Sequence, residues 1–105
     1  MQYKQEKEYF VYIMSNKLVT ILYTGLTDNL IRRDWQHRYK LIDNSFTQRY
    51  NTDKLLYFEK HPTRKEAYLR EKQIKGWKRD KKINLITNNN PEFQDLSEIW
   101  RKGRL

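Results

Sequence analysis

The longest unbroken apolar run in this 105-residue chain is Tyr9-Phe10-Val11-Tyr12-Ile13-Met14. Its aromatic and β-branched residues favour a strand over a helix. A short chain without cysteine has to build its core around such segments. Residues 8–14 are therefore the predicted first strand. Ser15-Asn16-Lys17 reads as a turn, residues 18–24 as the second strand of an antiparallel hairpin, and Gly25 as its end. Asp28 or Asn29 can cap a helix that runs to about Tyr39. Residues 43–53, rich in Asn, Ser, Thr and Gln, read as a loop, and residues 54–60 as a third strand. Thr63 with Glu66 three positions on is a capping-box pattern that opens a helix over 64–80. Asn90-Pro91 marks a further start, and Phe93, Leu96 and Trp100 recur at i, i+3 and i+7, which predicts a third helix over 91–101 with Gly103 near its end. The order β-β-α-β-α-α predicts one α+β domain over residues 1–105, a three-stranded antiparallel sheet flanked by helices.

Composition narrows the function. No run approaches the roughly 18–20 apolar residues of a membrane span. The first residues carry no apolar stretch that would serve as a signal peptide. The lack of cysteine excludes a disulfide framework, a thiolate metal site and a cysteine nucleophile. A cytoplasmic protein is expected. The net charge is +9, and it is localised: residues 31–60 carry seven bases against four acids, and residues 61–82 nine against three, while the two ends are balanced. A concentrated basic region predicts a polyanionic partner, nucleic acid first. The basic stretch lacks the broad apolar face of an interfacial membrane helix.

Several polar residues fall where a small core calls for apolar ones. Arg33 and His37 lie at i+3 and i+7 from Leu30 and share its helical stripe with Leu41. Glu71 sits between Ala67 and Ile74 on the inward stripe of the second helix. An inward carboxylate needs a partner, a metal or a solvated cleft. One option is an Arg33–Glu71 salt bridge joining two helices. The other is a polar cleft in which Glu71 holds a divalent cation and Arg33 reads a phosphate. Tyr12 and Tyr23 are either ordinary strand aromatics or, facing each other across the hairpin, phenols that orient or deprotonate a water in that cleft. A single carboxylate leaves the remaining ligand positions to water and substrate phosphate, which suits Mg²⁺.

With these residues in place, the sequence resembles the GIY-YIG nuclease domain. Phe10-Val11-Tyr12 stands where the family has Gly-Ile-Tyr, and Tyr23-Thr24-Gly25 corresponds to the second signature. Arg33 and His37 follow Gly25 at spacings similar to those of the family's arginine and histidine. The segment Arg70-Glu71-Lys72-Gln73-Ile74-Lys75-Gly76-Trp77 is similar to the one that carries the family's metal-binding glutamate. Asn90-Pro91-Glu92-Phe93-Gln94-Asp95-Leu96 looks like the tail of its small stand-alone bacterial members. The resemblance covers about residues 8–100. It departs at Phe10, which replaces the first glycine while the tyrosine is kept.

The resemblance implies a metal-dependent endonuclease acting on nucleic acid, with DNA as the expected substrate, as in the incision subunit of nucleotide-excision repair. Tyr12, Tyr23, Arg33, His37 and Glu71 are the implied catalytic residues. Glu71 holds one Mg²⁺ or Mn²⁺, Arg33 neutralises charge on the phosphoryl oxygens, and Tyr12 or Tyr23, assisted by His37, deprotonates water. A free phenol near pKa 10 is a weak base at neutral pH, so the cation and Arg33 are required to lower it. Arg32, Arg38, Lys72, Lys75, Lys78 and Arg79 are expected to hold the backbone without reading sequence. Trp35 and Trp77 could stack on bases, although packing is the expected role of both, and His61 is expected to stand apart. No organic cofactor or membrane partner is implied. The competing readings are a catalytically silent nucleic-acid-binding module on the same basic face and a protein-interaction domain. Salt separates these two, since nucleic-acid affinity falls steeply with ionic strength.

Overall fold

The computed structural model describes residues 7–39 and 51–102. Leu41, Gly103 and most of the loop predicted at 43–53 lie outside them. The chain forms a three-stranded antiparallel sheet in the order β2-β1-β3 with helices on both faces. The strands are β1 (Tyr9–Ser15), β2 (Leu22–Thr27) and β3 (Lys54–His61). The helices are α1 (Leu30–Arg38), α2 (Arg64–Lys75), α3 (Arg79–Asn89) and the short α4 (Glu98–Lys102).

The central strand explains the apolar run. Val11, Tyr12, Ile13 and Met14 are all at most 1% exposed, because β1 is paired on both edges and covered on both faces. A strand buried on both faces reads as continuous rather than alternating hydrophobicity. Val11 and Ile13 pack with Tyr57, Ala67, Ile74 and Ile86, on the face covered by α2 and α3. Tyr12 and Met14 pack with Leu30 and Leu55, with Leu96 and Trp100 from the C-terminal segment against them. Each fully buried side chain of this size contributes about 1.5–3 kcal/mol of transfer free energy. The register of β1 on β3 slips between Ile13 and Met14, which pair with Tyr57 and Leu55.

The helix starts follow the predicted chemistry. Asn29 accepts from the N–H of Arg32 at 3.0 Å and caps α1. Thr63 accepts from the N–H of Glu66 at 3.2 Å and caps α2.

Three boundaries differ from the predicted ones. The second strand starts at Leu22 rather than 18 and runs through Gly25 to Thr27. The side chain of Asn16 accepts from the N–H groups of Thr20 and Ile21 and donates to the Thr20 hydroxyl, while Val19 takes a left-handed φ of 57°. A β-branched residue in that region cannot continue a strand. The helix predicted over 64–80 closes at Gly76, whose N–H bonds to the carbonyls of Lys72 and Gln73, and a further helix covers 79–89. The helix predicted over 91–101 contracts to Glu98–Lys102. Asn90 is no helix start. Its buried side chain donates to the carbonyls of Leu56 and Gln94 and accepts from the N–H of Gln94, which pins the segment to β3. A side chain that satisfies nearby backbone in this way competes with helix formation, and Phe93, at φ 52°, interrupts it.

Candidate active site

Tyr12 projects from β1 toward α1. Its hydroxyl lies 3.0 Å from Nε2 of His37, in the last turn of α1. Tyr23 of β2 completes a cluster of three rings. Ring centroids are 6.2 Å apart for Tyr12 and Tyr23, 5.7 Å for Tyr12 and His37, and 5.0 Å for Tyr23 and His37. Gly25 pairs directly with Tyr12. A Cβ at Gly25 would lie 2.4 Å from the Tyr12 hydroxyl and 2.5 Å from Cζ. Gly25 therefore does not end the hairpin, as the sequence predicted; it makes room for the phenol within β2.

Arg33 stands one turn before His37, and its Nε is buried without a hydrogen-bond partner. Glu71 comes from α2, where Ala67 and Ile74 on the same stripe are fully buried. Its carboxylate is mostly shielded and pairs with Lys75 at 3.0 Å. Among the described residues no salt bridge joins Glu71 to Arg33, the simpler of the two options open at the sequence level. The charges of Arg33 and Glu71 both act on Tyr12. Four elements, β1, β2, α1 and α2, thus bring Tyr12, Tyr23, Arg33, His37 and Glu71 to one place.

Burial sets the protonation states. It pushes the Tyr12 phenol far above its ordinary value, with Tyr23 and Glu71 adding to the rise and Arg33 opposing it. Tyr12 therefore keeps its proton at neutral pH: Arg33 lowers it as expected, but less than burial raises it. Burial also pulls His37 down to about 4, and the nearby Arg33 charge adds to the shift. His37 is a neutral imidazole at pH 7, able to accept a proton.

Among the described residues no group of three or more His, Asp or Glu side chains converges as a metal site. The site's carboxylate is Glu71 alone. One hard oxygen donor fits a small cation that keeps most of its waters, as Mg²⁺ does. The orphaned Nε of Arg33, buried and aimed at no protein acceptor, fits an anionic oxygen such as that of a phosphate.

The flanking bases divide. Arg32, Lys72, Lys75 and Lys78 are exposed. Arg32 lies 3.7 Å from Asp28. Arg79 donates to the carbonyls of Val19 and Thr20 and ties α3 to the β1–β2 loop. Arg38 is taken out of the predicted phosphate-binding set. It donates to Asp34 at 3.2 Å, Asp95 at 3.1 Å and Ser97 at 2.7 Å, in a shielded network that fastens α1 to the C-terminal segment. Asp34 and Asp95 escaped the sequence reading. The i, i+4 spacing of Asp34 and Arg38 was the available signal, whereas Asp95 lies far away in sequence and gave none. Trp77 packs as expected, with Arg70 and Lys81 over its ring. Trp35 does not pack: it is 56% exposed. His61 pairs with Glu59, which also receives hydrogen bonds from Tyr57 and Arg70, in a separate network on β3.

The model of the GIY-YIG catalytic domain matches residues 8–84, and the chain belongs to that family, one of nucleases. Among solved structures it is similar to the solution NMR structure of the UPF0213 protein BH0048 from Bacillus halodurans. Identity is 25% and the TM-score is 0.54, over 84% of this chain and 92% of that chain. No curated protein matches the chain.

Proposed function

We propose that the protein is a metal-dependent endonuclease that hydrolyses phosphodiester bonds in DNA at the cleft of Tyr12, Tyr23, Arg33, His37 and Glu71. The observation that carries the reading is the buried, unpartnered Nε of Arg33 beside a phenol–imidazole pair. A core salt bridge would have used that donor, whereas a phosphate site leaves it free for substrate.

The residues divide the work. Arg33 binds the phosphoryl oxygens and offsets the charge that grows on them in the transition state. Tyr23, less buried than Tyr12, orients the attacking water. The water proton passes to the Tyr12 oxygen as the Tyr12 hydroxyl donates its own proton to Nε2 of neutral His37. This relay needs no free phenolate; its terminal acceptor, His37, is weakly basic in the free protein, and the negative charge of a bound phosphate favours its protonation. Glu71 would hold Mg²⁺ or Mn²⁺, which supplies Lewis-acid stabilisation of the scissile phosphate and leaving oxygen. Exposed Arg32, Lys72 and Lys78 attract the backbone without reading sequence.

The test is cleavage of labelled single-stranded, duplex and branched DNA, and of RNA, with Mg²⁺, Mn²⁺ or EDTA. Cutting that requires the metal supports the reading. Salt-sensitive binding with no cutting in either metal would replace it with a silent binding module.

A further inference from the structure

We infer that the outward face of α1 is a second nucleic-acid contact, one that takes an unpaired base of the substrate strand. Ile31, Trp35 and Tyr39 lie at i, i+4 and i+8 and form one stripe. Trp35 and Tyr39 are each 56% exposed, and their ring centroids are 4.8 Å apart at an interplanar angle of 50°. Arg33 lies two positions from Trp35, about 200° round the helix, so this stripe faces away from the catalytic cleft. The stripe lines a groove of about 530 Å³ between α1 and α4, to which Arg32, Trp100 and Arg101 also contribute.

Charge selects the occupant. Of the guanidinium groups at the groove, Arg38 is held by Asp34 and Asp95. The Arg32 side chain is 64% exposed, and that of Arg101, although it touches Asp95, is 41% exposed. Aromatic faces flanked by accessible guanidinium groups match a nucleobase with its phosphate. A second copy of a chain with net charge +9 would bring like charge to the same groove. In a duplex the base faces are already stacked on one another, so the flat Trp35 ring can engage only an unpaired base. The stripe stands about one helix diameter, ~10 Å, from the cleft, close enough for one strand to reach both. This inference rests on the nucleic-acid reading above and adds to it a preference for substrates with a single-stranded segment.

The test is fluorescence anisotropy in EDTA with a labelled oligothymidylate of about twelve nucleotides, the matching oligouridylate and a duplex of the same length. Trp35→Ala is expected to weaken binding of the single strand about ten-fold and of the duplex less than about two-fold, while Trp35→Phe keeps most of the affinity. Equal loss on oligothymidylate and oligouridylate assigns the contact to base stacking; loss on one alone assigns it to that nucleic acid. Unchanged single-strand affinity, equal loss on duplex and single strand, or no single-strand binding by the wild type would overturn the inference. So would a wild-type dimer that Trp35→Ala converts to monomer in sedimentation, which would mark the groove as a self-interface. A protein that cuts DNA but binds single strands independently of Trp35 refutes this inference alone. One that binds through Trp35 but never cuts refutes the nuclease reading alone.

Discussion

The phenol of Tyr12 occupies the space that Gly25 leaves across the β1–β2 pair. A Cβ at Gly25 would stand 2.4 Å from the hydroxyl and 2.9 Å from Cε1. The same hydroxyl reaches Nε2 of His37 at 3.0 Å, so the missing side chain sets the position of the proton relay. Gly25→Ala is expected to push the ring aside and to destabilise the fold by about 1–3 kcal/mol through overpacking. Thermal denaturation measures the loss of stability and the cleavage rate the displacement of the ring. An unchanged melting temperature with full activity would show that the ring has room to spare.

His37 gives the protein a distinct acid limb. Its folded pKa of about 4 lies below the ordinary 6.5, so the unfolded chain binds its proton first. Stability is unaffected above about pH 6.5 and falls by up to about 3 kcal/mol as the pH drops toward 4. Urea denaturation at stepped pH should show that slope in the wild type and lose it in His37→Gln. The paired carboxylate of Asp95 behaves differently. Burial opposes its ionisation, but hydrogen bonds from Ser97 and the Leu55 N–H, together with Arg38, hold it below the ordinary value. Its contribution is lost only at lower pH. An identical slope between pH 6.5 and 4 in His37→Gln would contradict the assignment.

Lys75 competes with a cation for Glu71. The two side chains pair at 3.0 Å, with the ammonium more than half exposed. Lys75→Met removes the competitor and should tighten Mn²⁺ binding by up to about five-fold, the range of a partly exposed ion pair. Calorimetric titration reads this directly, and Glu71→Ala should abolish the binding. Unaltered or weaker binding in Lys75→Met would place the metal elsewhere.

Asp95 holds the C-terminal segment to the sheet. Its two oxygens accept from the Leu55 N–H, the Ser97 N–H and hydroxyl, Arg38 and Arg101. Asp95→Ala leaves Arg38 with Asp34 as its one carboxylate partner, beside the Ser97 hydroxyl, and should cost about 3 kcal/mol, as for a buried pair stripped of one partner. Hydrogen exchange should then rise first in the segment around Leu96, whose N–H bonds to the Leu55 carbonyl at 2.8 Å. A loss below about 0.5 kcal/mol would show the network to be decorative.

What the sequence revealed tracks how local each interaction is. The Tyr9–Met14 run announced a strand, and Asn29 and Thr63 announced helix starts through bonds made within three residues. The helical stripes correctly carried His37 and Glu71 inward, because periodicity alone determines that. The errors arose where a distant or unusual contact decides. The Asn16 side chain and the left-handed Val19 delay β2. Asn90 satisfies Leu56 across 34 residues instead of capping a helix. Arg38 looks like any surface base until Asp95 is brought to it from 57 positions away. Trp35 was expected to pack, like Trp77, and its exposure depends on which face α1 turns to the sheet.

Whether one cleft performs hydrolysis is decided by cleavage of labelled DNA by wild type, Glu71→Ala and Arg33→Ala, purified in parallel and matched for folding by circular dichroism. Mg²⁺- or Mn²⁺-dependent cutting by the wild type is expected, with a loss of at least about a hundred-fold in each variant, the scale for removing a group that stabilises transition-state charge. Cutting by Glu71→Ala or Arg33→Ala at the wild-type rate would contradict hydrolysis in that cleft.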